Sequence, residues 1–197
     1  MHIIELHARA ADAVRPVLAS VTAADLTRLT PCAGWDLATL LAHMAGQDHG
    51  FAAAVSATSD AVADVGAFAP RAGAEGLGSC HLDDVVAAFA RADPDREVHL
   101  AEFGVSLPLP VVVGFHLVDT LVHSWDVAAS LGREVRYADD LVAAALAVAE
   151  GVPDGEARTA PGAPFGPALP GGTDPWSRTL ALLGRDPAWA PVSAARG

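Results

Sequence analysis

Apolar positions along this chain fall into helical periods separated by gaps rich in Gly, Pro and small polar residues. Residues 3–20 predict a first helix, with Ile4, Leu6, Val14, Val17 and Leu18 apolar and Pro16 expected to kink or end its second half. Residues 22–34 read as a connector punctuated by Pro31 and Gly34. From 36 to 57 Leu37, Leu40, Leu41, Met44 and Phe51 recur at helical spacing and predict a second helix. Residues 58–80 are rich in Gly, Ala, Ser and Asp and predict a loop. HLDDVVAAFARA predicts a third helix over 81–92, and DPDREVHLAEFG reads as extended or irregular, with VHLAEF a candidate short strand. A long fourth helix is expected from Pro108–Pro110, because Pro suits a first turn, to Leu131–Gly132, where Gly suits a C-terminal cap. A fifth helix is expected over 138–150. Residues 151–174 hold too many Pro and Gly for a helix, and PWSRTLALLG predicts a short last one. There is no internal repeat. The expected architecture is all-α: a four-helix bundle with additional short helices and a Pro/Gly-rich C-terminal segment. It forms a single domain over 1–185, followed by a loose tail over 186–197.

Composition narrows the function. Hydrophobic residues make up 52% of the 197 residues and charged residues only 18%, enough apolar material for a sizeable core. Acidic residues outnumber basic ones 24 to 12, and every basic residue is Arg. The absence of Lys excludes a Schiff-base or phosphate-loop lysine. A formal charge of -12 leaves no basic footprint for nucleic acid or anionic membrane. Two cysteines, Cys32 and Cys80, make no disulfide scaffold and fit a reducing cytoplasm. The N-terminal stretch does not read as a signal peptide, and no apolar run reaches the ~18 residues of a membrane span. The partners expected are small molecules, and a homodimer stays open.

Two stripes carry the candidate chemistry. On the fourth helix His116, Asp119, Thr120 and His123 share one face. Between Phe103 and Gly132 the charged residues are Asp119 and Asp126 alone, whereas a solvated helix of this length carries several long charged side chains. The stripe therefore turns inward. A buried carboxylate must be paired, hydrogen-bonded or metal-bound. Asp119 and His123, at i and i+4 and ~6 Å apart along the axis, can converge on one ion. A hydrogen-bonded Asp–His pair in the core is the alternative. On the second helix His43 shares its face with Asp36, Thr39, Gly46, Gln47 and Gly50, again small and polar. If the two helices touch, His43 supplies a third ligand. Two His and a carboxylate with one position open suit zinc or another divalent transition metal. Trp35 and Trp125 flank the stripes as pocket or core residues. His116 and Gln47 are candidates for the surroundings of the site. Asp126 orients a neighbour or lies on the surface. Cys32 precedes the second helix as an activated or a plain buried thiol. His2, His7, His49, His81 and His99 have no partner legible in the sequence.

TPCAGWDLATLLAHMAG and LVHSWDVAASLGR resemble the mycothiol-dependent maleylpyruvate isomerase family, part of the DinB-like metalloenzymes. FGPALPGGTDPWSRTLALLGRDPAW resembles the end of its compact actinobacterial metal-binding subfamily. The resemblance runs from about residue 5 to 189. It implies an up-down-down-up bundle with a divalent metal, zinc or nickel, held by His43, Asp119 and His123. It further implies an enzyme that uses a low-molecular-weight thiol, mycothiol in the family, for transfer to, or isomerisation of, a small electrophile. The isomerase has Glu where this chain has Asp119, and a second C-terminal domain for which this chain has no room. Relatives of this size include thiol transferases. A non-catalytic metal or small-molecule binding protein, and a pathway-specific enzyme such as a cyclase on the same bundle, are the alternatives.

Overall fold

The computed structural model describes residues 2–57, 64–71, 80–160 and 163–191. Among the described residues the regular structure is six α-helices and one hairpin: α1 (Ile3–Leu18), α2 (Leu37–Ser56), α3 (Cys80–Arg91), β1 (Glu97–Leu100), β2 (Val105–Pro108), α4 (Leu109–Ser130), α5 (Asp139–Glu150) and α6 (Pro175–Leu182). Short 3-10 turns lie at Ala23–Asp25, Val65–Phe68 and Glu156–Thr159. Parts of the expected loop and tail, 58–63, 72–79 and 192–197, lie outside the described residues.

The fold is mostly helical rather than all-α. β1 pairs antiparallel with β2, Val98 opposite Leu107. Val98 and Leu100 turn into the core while Glu97 stays outside, the alternation of a half-buried strand. Pro16 does not end α1, which runs on to Leu18 although Pro16 cannot donate to the Asp12 carbonyl. α1 begins on a capping box: His2 accepts from the Ile4 and Glu5 end of the first turn, and Glu5 accepts from the His2 N–H. α4 carries Pro in its first turn as expected. It ends in a left-handed Gly132, φ 67°, which lets Gly132 and Arg133 donate back to Ala129 and Ala128.

α1 packs on α3 and α4, and α2 packs on α3 and α4. The main core gathers Ala10, Val14, Phe51, Leu82, Phe89, Leu100, Val113, Leu117 and Leu121, and extends to Leu141 of α5 and Leu180 of α6. A smaller apolar cluster, Val21, Leu37, Leu40, Leu41, Met44 and Val127, joins the start of α2 to the end of α4. This second cluster fixes the distance between those two helices, and the candidate site sits beside it. Gly46 and Gly50 on α2 serve packing: a Cβ on Gly46 would stand 2.6 Å from the Ala69 carbonyl oxygen, and one on Gly50 would strike the Phe68 ring. Phe68 thereby reaches the core, edge-on to Phe51 at 5.6 Å.

Candidate metal centre

α2 starts at Asp36, whose carboxylate accepts from Thr39 N–H at 2.8 Å and Thr39 Oγ1 at 2.7 Å. Two turns on, α2 presents His43 toward α4. There Asp119 and His123 share one face, and Asp119 Oδ1 lies 3.4 Å from His123 Nε2 and 3.9 Å from His43 Nε2. One ligand atom from each of His43, Asp119 and His123 falls within 4.8 Å of the others. The two imidazoles meet edge to face at 5.0 Å. Burial alone would raise the Asp119 carboxyl, but the charge and hydrogen bonds of His123, with His43, outweigh it and hold it well below the carboxylate range. Burial would lower His123, but Asp119, Asp126 and Cys32 reverse that and hold it well above the ordinary imidazole value.

A tetrahedral zinc with bonds of ~2.05 Å sets its donors ~3.3 Å apart. The Asp119–His123 spacing of 3.4 Å matches, and the His43–Asp119 spacing of 3.9 Å needs only a small contraction. The donor set therefore fits a divalent transition ion.

The second nitrogen of His123 faces a different group. Its Nδ1 lies 2.9 Å from Asp126 Oδ2, which is fully buried. Cys32 Sγ stands 3.2 Å from the same oxygen and Arg185 Nη2 3.4 Å from it. Burial would raise Asp126, but the Arg185 charge and the His123 contact keep it below its usual value. Asp126 is thus not a surface residue. Its carboxylate holds a proton on His123 Nδ1, so Nε2 is the nitrogen that would give up its proton to an ion bound beside Asp119 and His43. Cys32 is half-buried in this polar group.

Trp35 lines the site, its ring 4.9 Å from His43 and 6.5 Å from His123, whereas Trp125 packs on the main core. Gln47 is buried and donates from Nε2 to Glu102 Oε1 at 3.3 Å. Glu102, exposed on the turn between β1 and β2, is shifted above its ordinary value, first by partial loss of solvent around it and also by the Asp119 charge. Nothing in the local sequence AEFG relates Glu102 to residues of α2 or α4, so its place beside the site was not legible there.

His116 does not join the trio. It lies two turns before His123 and is fully buried in a separate chain of contacts. His116 Nε2 is 3.1 Å from Asp48 Oδ1, and its Nδ1 is 2.8 Å from His7 Nε2 and 3.2 Å from Thr120 Oγ1. An anionic Asp48 accepts from His116 Nε2–H, so His116 Nδ1 accepts from His7 Nε2–H. His7 is left with a buried Nδ1 that has no hydrogen-bond partner among the described residues. Burial, and then His116, push His7 well below the ordinary imidazole value. His7 and Asp48 were both missed in the sequence, since 109 and 68 residues separate them from His116.

A mainly helical domain that gathers two imidazoles and a carboxylate from facing helices defines a protein with a candidate metal centre. The chain belongs to the mycothiol maleylpyruvate isomerase N-terminal domain family, whose match spans residues 7–128. That span contains His43, Asp119, His123 and Asp126, and stops short of Arg185. Two uncharacterized proteins from strains of Mycobacterium tuberculosis are 31% identical over 195 residues, covering 91% of this chain and 95% of each relative. No solved structure matches. Among the described residues no helix is long and apolar enough to cross a membrane.

Proposed function

We propose that this chain is a DinB-like bundle of up-down-down-up order that binds one divalent ion, zinc or nickel, through His43, Asp119 and His123. We further propose that it uses a low-molecular-weight thiol of the mycothiol type for transfer to, or isomerisation of, a small electrophilic organic substrate. The observation that carries this reading is the convergence of the three donors within 4.8 Å, in a chain of a family named for a mycothiol-dependent enzyme.

When bound, the ion would supply Lewis acidity that favours thiolate over thiol. The chain's own residues do the rest. Asp119 contributes the anion that offsets the ion's charge. Asp126 accepts a hydrogen bond from His123 Nδ1–H and so directs Nε2 toward the ion. Trp35 covers the imidazoles on one side and limits water there. Glu102, held by Gln47 and titrating above its ordinary range, is the carboxylate proposed to take the thiol proton at an Oε atom.

Cobalt-substituted protein tests the reading, because sulfur entering the coordination sphere adds a near-ultraviolet charge-transfer band. The band should appear on adding mycothiol or a simple analogue, to the Cys32→Ser variant as to the native chain. Full cobalt occupancy with no band in either protein would overturn the thiol reading and leave a metal-binding protein.

A further inference from the structure

The C-terminal helix ends on a turn that sends one arginine back into the bundle. α6 stops at Leu182, and Gly184 follows in the left-handed conformation, φ 76°. Gly184 N–H donates to the Ala181 carbonyl and Arg185 N–H to the Leu180 carbonyl at 2.9 Å, the paired bonds of a Schellman ending. A side chain at 184 would be strained in φ and would stand 2.8 Å from the Gly166 carbonyl oxygen, so the turn depends on glycine. It reverses the chain, and Arg185 enters the interior with 8% of its surface exposed.

Once inside, the guanidinium is committed to the site. Nη1 donates to the Leu183 carbonyl at 2.9 Å, and the group lies over the Phe165 ring at 5.9 Å. Nη2 faces Asp126 Oδ2 at 3.4 Å and Cys32 Sγ at 3.6 Å. Asp126 in turn holds His123 Nδ1 at 2.9 Å. A chain of contacts therefore runs from the end of α6 to the far nitrogen of a candidate ligand.

Cys32, His123 Nδ1 and Asp126 also lie close enough together to suggest a second ion. Charge argues against it. The single Asp126 carboxylate already faces the Arg185 cation, and an ion added there would meet an arginine too buried to swing away.

We infer that Arg185 is a positioning residue of the metal centre: it fixes the Asp126 carboxylate, which orients His123 toward the ion. The inference rests on the metal assignment above, and it makes the segment beyond the family match part of the site. Loss of groups that orient a metal ligand costs about 10–100-fold in affinity. Arg185 acts one step further out, so a loss near the lower end, about tenfold, is expected for Arg185→Gln, and less for Arg185→Lys, which keeps the charge.

The test measures zinc affinity by chelator competition and the visible spectrum of the cobalt form, in the native chain and both variants, with circular dichroism of the metal-free proteins as the folding control. The same titrations in Asp126→Asn show the route, because an arginine acting through Asp126 loses its effect there. The expected results are a tenfold loss and an altered cobalt spectrum in Arg185→Gln, partial recovery in Arg185→Lys, and no further loss from Arg185→Gln in the Asp126→Asn background. Native affinity and an unchanged spectrum in whichever arginine variant is folded would overturn the inference. A native chain that binds no metal would instead overturn the assignment beneath it, and two ions per chain would overturn the charge argument.

Discussion

Replacing His7 by Leu tests the buried imidazole chain through its pH dependence. His7 is fully buried, and burial together with His116 keeps it neutral well below the ordinary imidazole value. In the unfolded chain it titrates near pH 6.5. Its folded value is depressed, so the unfolded state takes up the proton first, and stability falls as pH drops through the unfolded value. With the native imidazole neutral throughout, the linkage relation gives a loss of about 1.4 kcal/mol between pH ~7.5 and ~5.5 from this residue alone. His123 works in the opposite sense, since its folded value is raised, but it is common to both proteins and cancels in the comparison. Leu is close to His in volume, and Thr120 Oγ1, 3.2 Å from His116 Nδ1, remains as a donor to that nitrogen. The cost at neutral pH is therefore about 1 kcal/mol or less. Urea unfolding of chelator-treated protein at the two pH values measures the difference. The native chain should lose about 1.4 kcal/mol more than His7→Leu on acidification. Equal losses, within the error of extrapolation, would refute the claim that His7 is held neutral.

Three further outcomes are expected. Asp119→Asn, which keeps the size and loses the anion, should weaken zinc binding by more than the ~10–100-fold seen for groups that merely orient a ligand, while Asp119→Glu should retain the ion; equal affinity in Asn and Asp, read by chelator competition, would remove the carboxylate from the ligand set. Gly46→Ala should destabilise by about 1–3 kcal/mol, because its Cβ meets two backbone oxygens, Ala69 at 2.6 Å and Phe68 at 2.8 Å, and the melting temperature measures it. His49→Ala should leave metal binding unchanged, since His49 Nδ1 contacts the Ala67 carbonyl at 3.0 Å, away from the trio; a loss of zinc would contradict that placement.

Which parts of this were legible in the sequence follows from range. The helices were readable because their apolar periods, the Pro at the start of α4 and the Gly at its end are local signals. β2 was not, because VSLP runs directly into a helix and reads as its approach. Asp119 and His123 share a helix, and the scarcity of long charged side chains around them indicated an inward face. His116 lies on that same face, but two turns from His123, and pairs with Asp48 and His7. Asp48, His7, Glu102 and Arg185 reach partners on other elements of the fold, and local spacing carries no trace of that. The role of Asp126 was open for the same reason, since its arginine partner lies 59 residues on.

His43, Asp119 and His123 are proposed to hold one divalent ion. Elemental analysis of untagged protein, purified without chelator and compared with His43→Ala and His123→Ala, tests it most directly. About one divalent ion per chain is expected in the native protein, with near-complete loss in each variant. Metal content unchanged in both variants, or none in a folded native chain supplied with zinc, would contradict it.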